Sequence, residues 1–478
     1  MTIVRKIAYN TAVSTGARLI GVALSLISIG LIARYLGKDG FGGYSLVLAF
    51  LYTFDSLADL GLYSLMVREI SKPGVDEKKV ASNIFTIRMV ALLLFIGIAS
   101  IAVWFFPYST EVKIGTMLAG ISFLFLSMGQ VLMGIFQKYL RTDRPAIADI
   151  SGRIVQLLLI FVCIKMGVGF YGVIGALVAS CFINFALLFI FAKKYVNFSL
   201  EFDFPYWKKI IKTTLPIAAS IVLTLIYFKI DSIFLSLPII NKYSPSPMSD
   251  VGVYGIAYKI LEGLIFFPAM FVGLVMPLLS GSAFTDKEKF KKVFQKTLDV
   301  LIVFIVPMVI GLSMLSLPIV VLVGGSDFAV SASVLNILTP AIGLIFLGNL
   351  FGSSIIALDK QKTGAWIYFL GMIFNIVTNL IFIPKYRYVG AAWTTTATEF
   401  LVTLCMSILI YKAINYLPKF RIIKPLIAGG AMAGFLYLFS NWNVFLLVPG
   451  GLIIYLAILY LIGGIKKEEI LLITKKEI

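Results

Sequence analysis

Fourteen apolar runs, most of them long enough to cross a bilayer as a helix, are strung along this 478-residue chain with only short charged or Pro/Gly breaks between them. A bilayer core takes about 20 apolar residues per helical span, and a span in lipid must satisfy its own backbone hydrogen bonds, as a helix does. The runs fall near 9–33, 43–66, 81–106, 114–137, 147–164, 170–191 and 211–238, then 252–280, 298–323, 330–358, 364–383, 389–411, 425–440 and 443–463. Composition agrees, with 60% hydrophobic and 13% charged residues, where a soluble domain is about half apolar and a quarter charged. The expected fold is an all-α polytopic membrane protein of about fourteen transmembrane helices. The first run follows a polar stretch, YNTAVSTGAR, with no small-residue cleavage pattern, and reads as the first helix of the mature protein rather than a signal.

The net charge is +18. In water that excess would suggest nucleic acid; in a membrane chain the position of the charges matters more, and no nucleic-acid partner is expected. Counted in alternate connections from the N-terminus, one side holds 29 Lys and Arg, the other 7, and five lie within helices. Basic residues collect in cytoplasmic loops, so both termini, including the tail at 465–478, are expected in the cytoplasm, with the chain in the cell membrane. The sequence has no His, which removes His-based acid–base chemistry and His-ligated metal. Cys163, Cys181 and Cys405 each lie in an apolar stretch without CxxC spacing. They read as buried small hydrophobes, so neither a metal nor another cofactor is expected.

The chain also repeats. Aligning Gly134 with Gly352, an offset of 218, brings Leu140 to Leu358, Arg144 to Lys362 and Gly172 to Gly390. A looser echo sets GGY at 42–44 against GVY at 252–254. An even-numbered repeat makes two parallel lobes about an axis along the membrane normal. The expected organisation is an N-lobe of six helices at 1–191, a linker at 192–210 and a C-lobe of six at 211–412. A C-terminal helix pair at 413–464 follows, and then the tail. The pair's first helix holds GGAMAG, whose Gly430 and Gly434 form a GxxxG suited to tight helix packing.

Charges within spans are costly, and they usually face a partner or a polar cavity. In the first helix Ser14, Arg18, Gly21, Ser25 and Ser28 share one face. That face reads either as the lining of a polar cavity or as a close-packed interface with Arg18 paired to a carboxylate. Asp55 and Asp59, with Tyr52 and Tyr63, share a face of the second helix. They suit an acid–base pair, cation binding or structural pairing with Arg18 or Arg88, and Arg88 itself lies early enough in its helix to snorkel. Asp149 and Arg153 stand at i, i+4. Ser220, Thr224, Tyr227 and Asp231 form a stripe from which Lys229 is displaced. Tyr254, Tyr258 and Glu262 form another, with Lys259 near Glu262; Asn375 and Asn379, then Thr395, Glu399 and Thr403, follow. Fixed cations in a low-dielectric cavity suit a phosphate or pyrophosphate, while carboxylates and aromatics beside them suit sugar hydroxyls and ring faces. The candidate cavity residues are therefore Arg18, Asp55, Asp59, Arg88, Arg153, Lys229, Asp231, Lys259, Glu262 and Glu399.

The stretch from Ala33 to Ile70, ARYLGKDGFGGYSLVLAFLYTFDSLADLGLYSLMVREI, resembles the N-terminal signature of the polysaccharide-biosynthesis flippases, through ARYLG, FGxY and DLGL followed by RE. These flippases belong to the multidrug/oligosaccharidyl-lipid/polysaccharide exporter superfamily. The resemblance implies two six-helix lobes forming a V around a central cavity, alternating access, and a polyprenyl-(pyro)phosphate-linked oligosaccharide moved across the membrane without covalent chemistry. It also implies phosphate contacts from basic residues of the first and eighth helices, here Arg18 and Lys259, and a lipid-tail groove on the last two helices. Membrane lipids, a coupling ion (H⁺ or Na⁺) and a monomeric state complete the expectation. An H⁺- or Na⁺-coupled drug exporter on the same scaffold, with Asp55 or Asp231 as ion ligand, is the alternative. A polysaccharide polymerase fits poorly with short outside loops and no His.

Overall fold

The computed structural model describes residues 3–464. Among the described residues it has thirteen α-helices, two short 3-10 turns and no strand. They run α1 (Ile3–Asp59), α2 (Leu62–Ile70), α3 (Glu77–Ala102), α4 (Thr110–Lys138), α5 (Asp143–Met166), α6 (Gly169–Lys193) and α7 (Phe204–Ser236). Then come α8 (Pro247–Ser282), α9 (Lys287–Gly324), α10 (Ser331–Ala357), α11 (Gln361–Ile414), α12 (Ile423–Leu438) and α13 (Val444–Leu461). The tail expected at 465–478 lies outside the described residues.

Two helices each hold two rods. α1 is interrupted only at Gly37 (φ 67°, ψ −175°), a conformation open to glycine because it has no Cβ. α11 is interrupted only at Arg387 (φ 54°, ψ −133°). The second rod of α1 stops where Leu60 and Gly61 both turn left-handed, and α2 carries the chain on to Ile70. Counted as rods, with α2 completing the second, the helices reproduce the fourteen apolar runs in order. The connections expected at 34–42 and 384–388 shrink to single-residue breaks. Among the described residues ten helices, α1 and α11 included, are long and apolar enough to cross a membrane.

The chain gathers into two compact units: residues up to Gly255 with Val323–Asp327 and Ile376–Ala391, and Ile256–Leu322 with Phe328–Asn375 and everything from Ala392 on. Fully buried Phe41, Phe123, Phe136 and Phe198 centre the first, and Phe290, Phe294, Phe346, Phe351 and Tyr455 the second. Burying such rings stabilises each unit through dispersion as well as area.

Two helix endings are alike. After α4, Arg141 N donates to Phe136 O and Leu140 is left-handed; after α10, Lys360 N donates to Ile355 O and Asp359 is left-handed. Both are six-to-one helix caps of the Schellman kind, spaced one residue further apart than the glycine alignment at 134 and 352 suggests.

One local expectation changes. Gly430 and Gly434 of the GxxxG have open space around them; the packed glycine is Gly429, against Val306 and Ile310 of α9. The linker at 192–210 is in part an extended strap. Ser199, Glu201 and Asp203 donate their backbone N–H groups to Ser82 Oγ, Thr86 Oγ1 and Asn83 Oδ1 of α3, at 3.0, 3.0 and 3.2 Å. An extended chain turns every second amide the same way, so the strap meets one polar stripe of α3. Trp207 Nε1 donates to the same Asn83 oxygen (2.9 Å), and Lys79 pairs with Asp203 (2.8 Å).

Candidate functional site

The candidate residues of the first unit fall into four groups. The first joins α1 to α5. Gly21 leaves so little room that an added methyl would sit 3.1 Å from both Arg153 Nε and Asp149 Oδ2. The small-residue face of α1 is therefore turned to the Asp149–Arg153 pair, which is 3.0 Å apart and partly exposed. Arg18, one turn before Gly21, is exposed, whereas Ser28 further along is buried.

The second group is a buried ion cluster. Arg88 has no exposed surface and lies 3.0 Å from Asp59 and 3.5 Å from Asp55. It donates to Ser127 Oγ of α4 at 2.8 Å, and that hydroxyl donates in turn to Asp55. Asp55 and Asp59 thus take Arg88, not Arg18, as partner, and Arg88 does not snorkel. Ser127, which joins the cluster from a helix with no charged neighbour, left no sequence signal. The cluster stands at the end of α1's second rod, just before the left-handed break at 60–61.

In the third, the Lys229 ammonium lies 5.1 Å over the ring of Tyr52, which meets Phe123 edge-on at 4.8 Å. This is a cation–π arrangement within ordinary range. The fourth centres on Asp231, fully buried, which accepts from Tyr254 OH (2.8 Å) and Asn379 Nδ2 (2.6 Å). Tyr227 of the same stripe is buried; the side chains of Ser220 and Thr224 lie outside the described ones.

In the second unit Lys259 and Glu262 form a pair at 2.6 Å. Glu399 is buried, and Asn375 lies in a long contact with Thr398 (3.4 Å). Sequence reasoning missed another buried charge, which lies in the first unit. Asp250, with no exposure, receives both edges of the Arg387 guanidinium, one at 2.8 Å, and the Asn241 amide at 2.8 Å. Arg387 sits at the break in α11, so this bidentate pair holds a backbone conformation that a non-glycine residue seldom adopts. Among the described residues no group of three or more acidic or Cys side chains stands ready to hold a metal.

Comparison with known proteins follows the same lines. The probable low-salt glycan biosynthesis flippase Agl15 of Haloferax volcanii is 23% identical over 480 residues, covering 94% of this chain and 95% of that protein. The probable flippase AglR of the same organism is 24% identical over 455 residues, covering 92% and 90%. Among solved structures, the lipid II flippase MurJ in an inward closed conformation matches with a TM-score of 0.74 at 18% identity, over 95% of this chain and 98% of that one. An inward-facing multidrug resistance MATE transporter of the MOP superfamily matches at 0.65 and 14%, over 85% and 99%. Both structures share this all-helical membrane fold. A family profile described as "Polysaccharide biosynthesis protein" matches residues 7–283, more than half the chain. By that match, the chain belongs to the polysaccharide biosynthesis protein family.

Proposed function

We propose that this protein is a flippase that moves a polyprenyl-(pyro)phosphate-linked oligosaccharide from the cytoplasmic to the outer leaflet of the cell membrane, and that it is not an enzyme. The observation that carries the reading is the α1–α5 face, where Gly21 makes room for the Asp149–Arg153 pair and Arg18 stands exposed one turn away. Guanidinium groups recognise phosphate oxygens in pairs, and away from bulk water those bonds strengthen. Relatives named as flippases, aligned over nearly the whole chain, support it.

In this reading both termini are cytoplasmic, following the Lys and Arg distribution, and the six-helix lobes at 1–191 and 211–412 rock to give alternating access. The headgroup meets Arg18 first. Arg153 and Lys259 contribute less, because Asp149 and Glu262 already pair with them. Arg88, Asp55 and Asp59 form the frame of the first lobe instead of touching substrate. Asp231, a buried carboxylate that accepts from Tyr254 and Asn379, is where a coupling H⁺ or Na⁺ would bind. The same residue favours the alternative of an ion-coupled drug exporter.

One assay separates the two: transfer of a labelled lipid-linked oligosaccharide in proteoliposomes, with and without H⁺ or Na⁺ gradients. Charge-assisted hydrogen bonds contribute about 1.5–3 kcal/mol each, so Arg18→Ala should lower transfer by roughly 10- to 100-fold while the protein still folds. Asp231→Asn, which keeps the shape, should transfer at a rate no longer sensitive to the gradient. A folded wild type that moves no glycan under any gradient would transfer the assignment to drug export.

A further inference from the structure

Pro307 lies inside α9 and has no N–H, so the carbonyl of Val303, one turn earlier, loses its partner within the helix. The Tyr455 hydroxyl of α13 donates to that same oxygen at 2.8 Å, from a side chain with no exposed surface. A phenol hydroxyl stands too far from its own backbone to bond there, and a buried one needs an acceptor elsewhere. Pro307 and Pro318 free the Val303 and Met314 carbonyls in the interior of α9, and Tyr455 meets the first. Neighbouring helices grip α9 at the same level. Gly429 of α12 lies against Val306 and Ile310, which flank Pro307; an added methyl would sit 2.9 and 2.5 Å from them. A methyl on Gly343 of α10 would meet Ile305 at 3.1 Å. Lys424 of α12 donates to the Gly463 carbonyl just past α13 at 2.8 Å, which ties α12 and α13 together. A second proline is served in a similar way. Thr396 of α11 donates to the Ile337 carbonyl of α10, three residues before Pro340, at 2.8 Å. All these residues belong to the second unit. In lipid a freed carbonyl has no water to turn to, so a neighbouring helix supplies the donor.

We propose that Tyr455 is a positioning residue for transport: by supplying the hydrogen bond that Pro307 removes, it sets the angle at which α9 bends, and α13 becomes the brace of that bend. The proposal rests on the flippase reading above, in which the second lobe moves during transfer. In an unbroken helix the amide of residue 307 would hold the Val303 carbonyl, and α9 would keep its course whatever α13 did. The proline hands that bond to another helix. The course of α9 is then fixed only while α13 stays docked, and α12 follows through Gly429. Without the hydroxyl the buried carbonyl lacks a donor, and α9 can swing about Pro307. The C-terminal helix pair is in this way part of the moving lobe rather than an appendage to it.

The test is a double-mutant cycle of Tyr455→Phe, which keeps the ring, and Pro307→Ala, which gives Val303 a partner within α9 again. Spin labels report the bend, carried by Lys292→Cys and Leu317→Cys, two exposed positions on either side of Pro307, after Cys163, Cys181 and Cys405 are replaced by alanine. The parent should give one narrow distance distribution, and Tyr455→Phe should broaden or shift it. At equal amounts of monodisperse protein, Tyr455→Phe should lower the maximal rate of labelled-glycan transfer about tenfold and leave the half-saturating glycan concentration unchanged. In the Pro307→Ala background, adding Tyr455→Phe should alter neither distance nor rate, because the hydroxyl has nothing left to supply. A packing role for Tyr455 would cost the same in both backgrounds. If Tyr455→Phe alone aggregates, Pro307→Ala should rescue it. Parental distances and rate in Tyr455→Phe, equal losses with and without Pro307, or failed rescue would overturn the proposal. The distance arm needs no glycan, so a parent protein that transfers none would sink the flippase reading while the brace was still decided by the cycle.

Discussion

At the residue scale, one guanidinium shared by two carboxylates separates framework from function. Arg88 has no exposed surface, and its partners Asp55 and Asp59 are buried or nearly so. Removing one member of a buried ion cluster leaves the others uncompensated, at a cost of about 3–5 kcal/mol. Arg88→Ala should therefore lower the thermal unfolding midpoint in detergent and the membrane yield sharply, whereas Arg18→Ala should affect transfer far more than stability. Equal stability of the two variants would contradict this division. Spacing alone placed Asp55 and Asp59 on one face, because helical period is local. It left Arg18 and Arg88 as rival partners, because which helix packs against which depends on tertiary structure that no periodicity encodes. The Asp250–Arg387 pair escaped for the same reason: its members lie 137 positions apart.

At the scale of elements, the strap on α3 is the feature most open to measurement. Asn83 accepts from both the Asp203 amide and the Trp207 indole, and a net hydrogen bond contributes about 1 kcal/mol. Asn83→Ala should then raise amide exchange over 199–207 several-fold while α5 and α6 exchange as before. Acid should act on the same place. The Lys79 ammonium beside Asp203, with the Tyr206 amide N–H, holds its carboxyl below the usual carboxylate range. A carboxyl lowered by folding adds stability above its unfolded value, near ~3.9, and that contribution disappears as pH falls through the lowered value. Strap protection should stay level down to about pH 4 and fall below it, and Asp203→Asn should abolish that acid step. The signal was present in the sequence: FSLEFDF at 198–204 alternates apolar and polar residues with a period of two. In a chain of helices that alternation reads as linker, since a single strand has no sheet to join; here the side chains of α3 take the place of a neighbouring strand.

At the scale of the whole molecule, the fourteen runs, their order and the membrane setting were legible, because a span announces itself by length and apolarity alone. The breaks were less so. Nothing in the residue types around Arg387 distinguishes a loop from one left-handed residue, and only the bidentate partner on α8 explains it. The topology makes its own prediction. A cysteine at Tyr243, highly exposed between α7 and α8, should react with impermeant maleimide in intact cells, and one at Phe284, equally exposed between α8 and α9, only after permeabilisation. The reverse pattern would invert the orientation and with it the direction of transport. The Arg88 cluster has a last consequence, for synthesis. Asp55 and Asp59 emerge from the ribosome before Arg88, and each charge placed alone at the bilayer centre costs at least ~2.5–3.5 kcal/mol. The second rod of α1 is thus a poor candidate for release into lipid by itself. It should leave the insertion machinery in company with α3, so that the order of this protein's birth follows from the same ion cluster that later holds its frame.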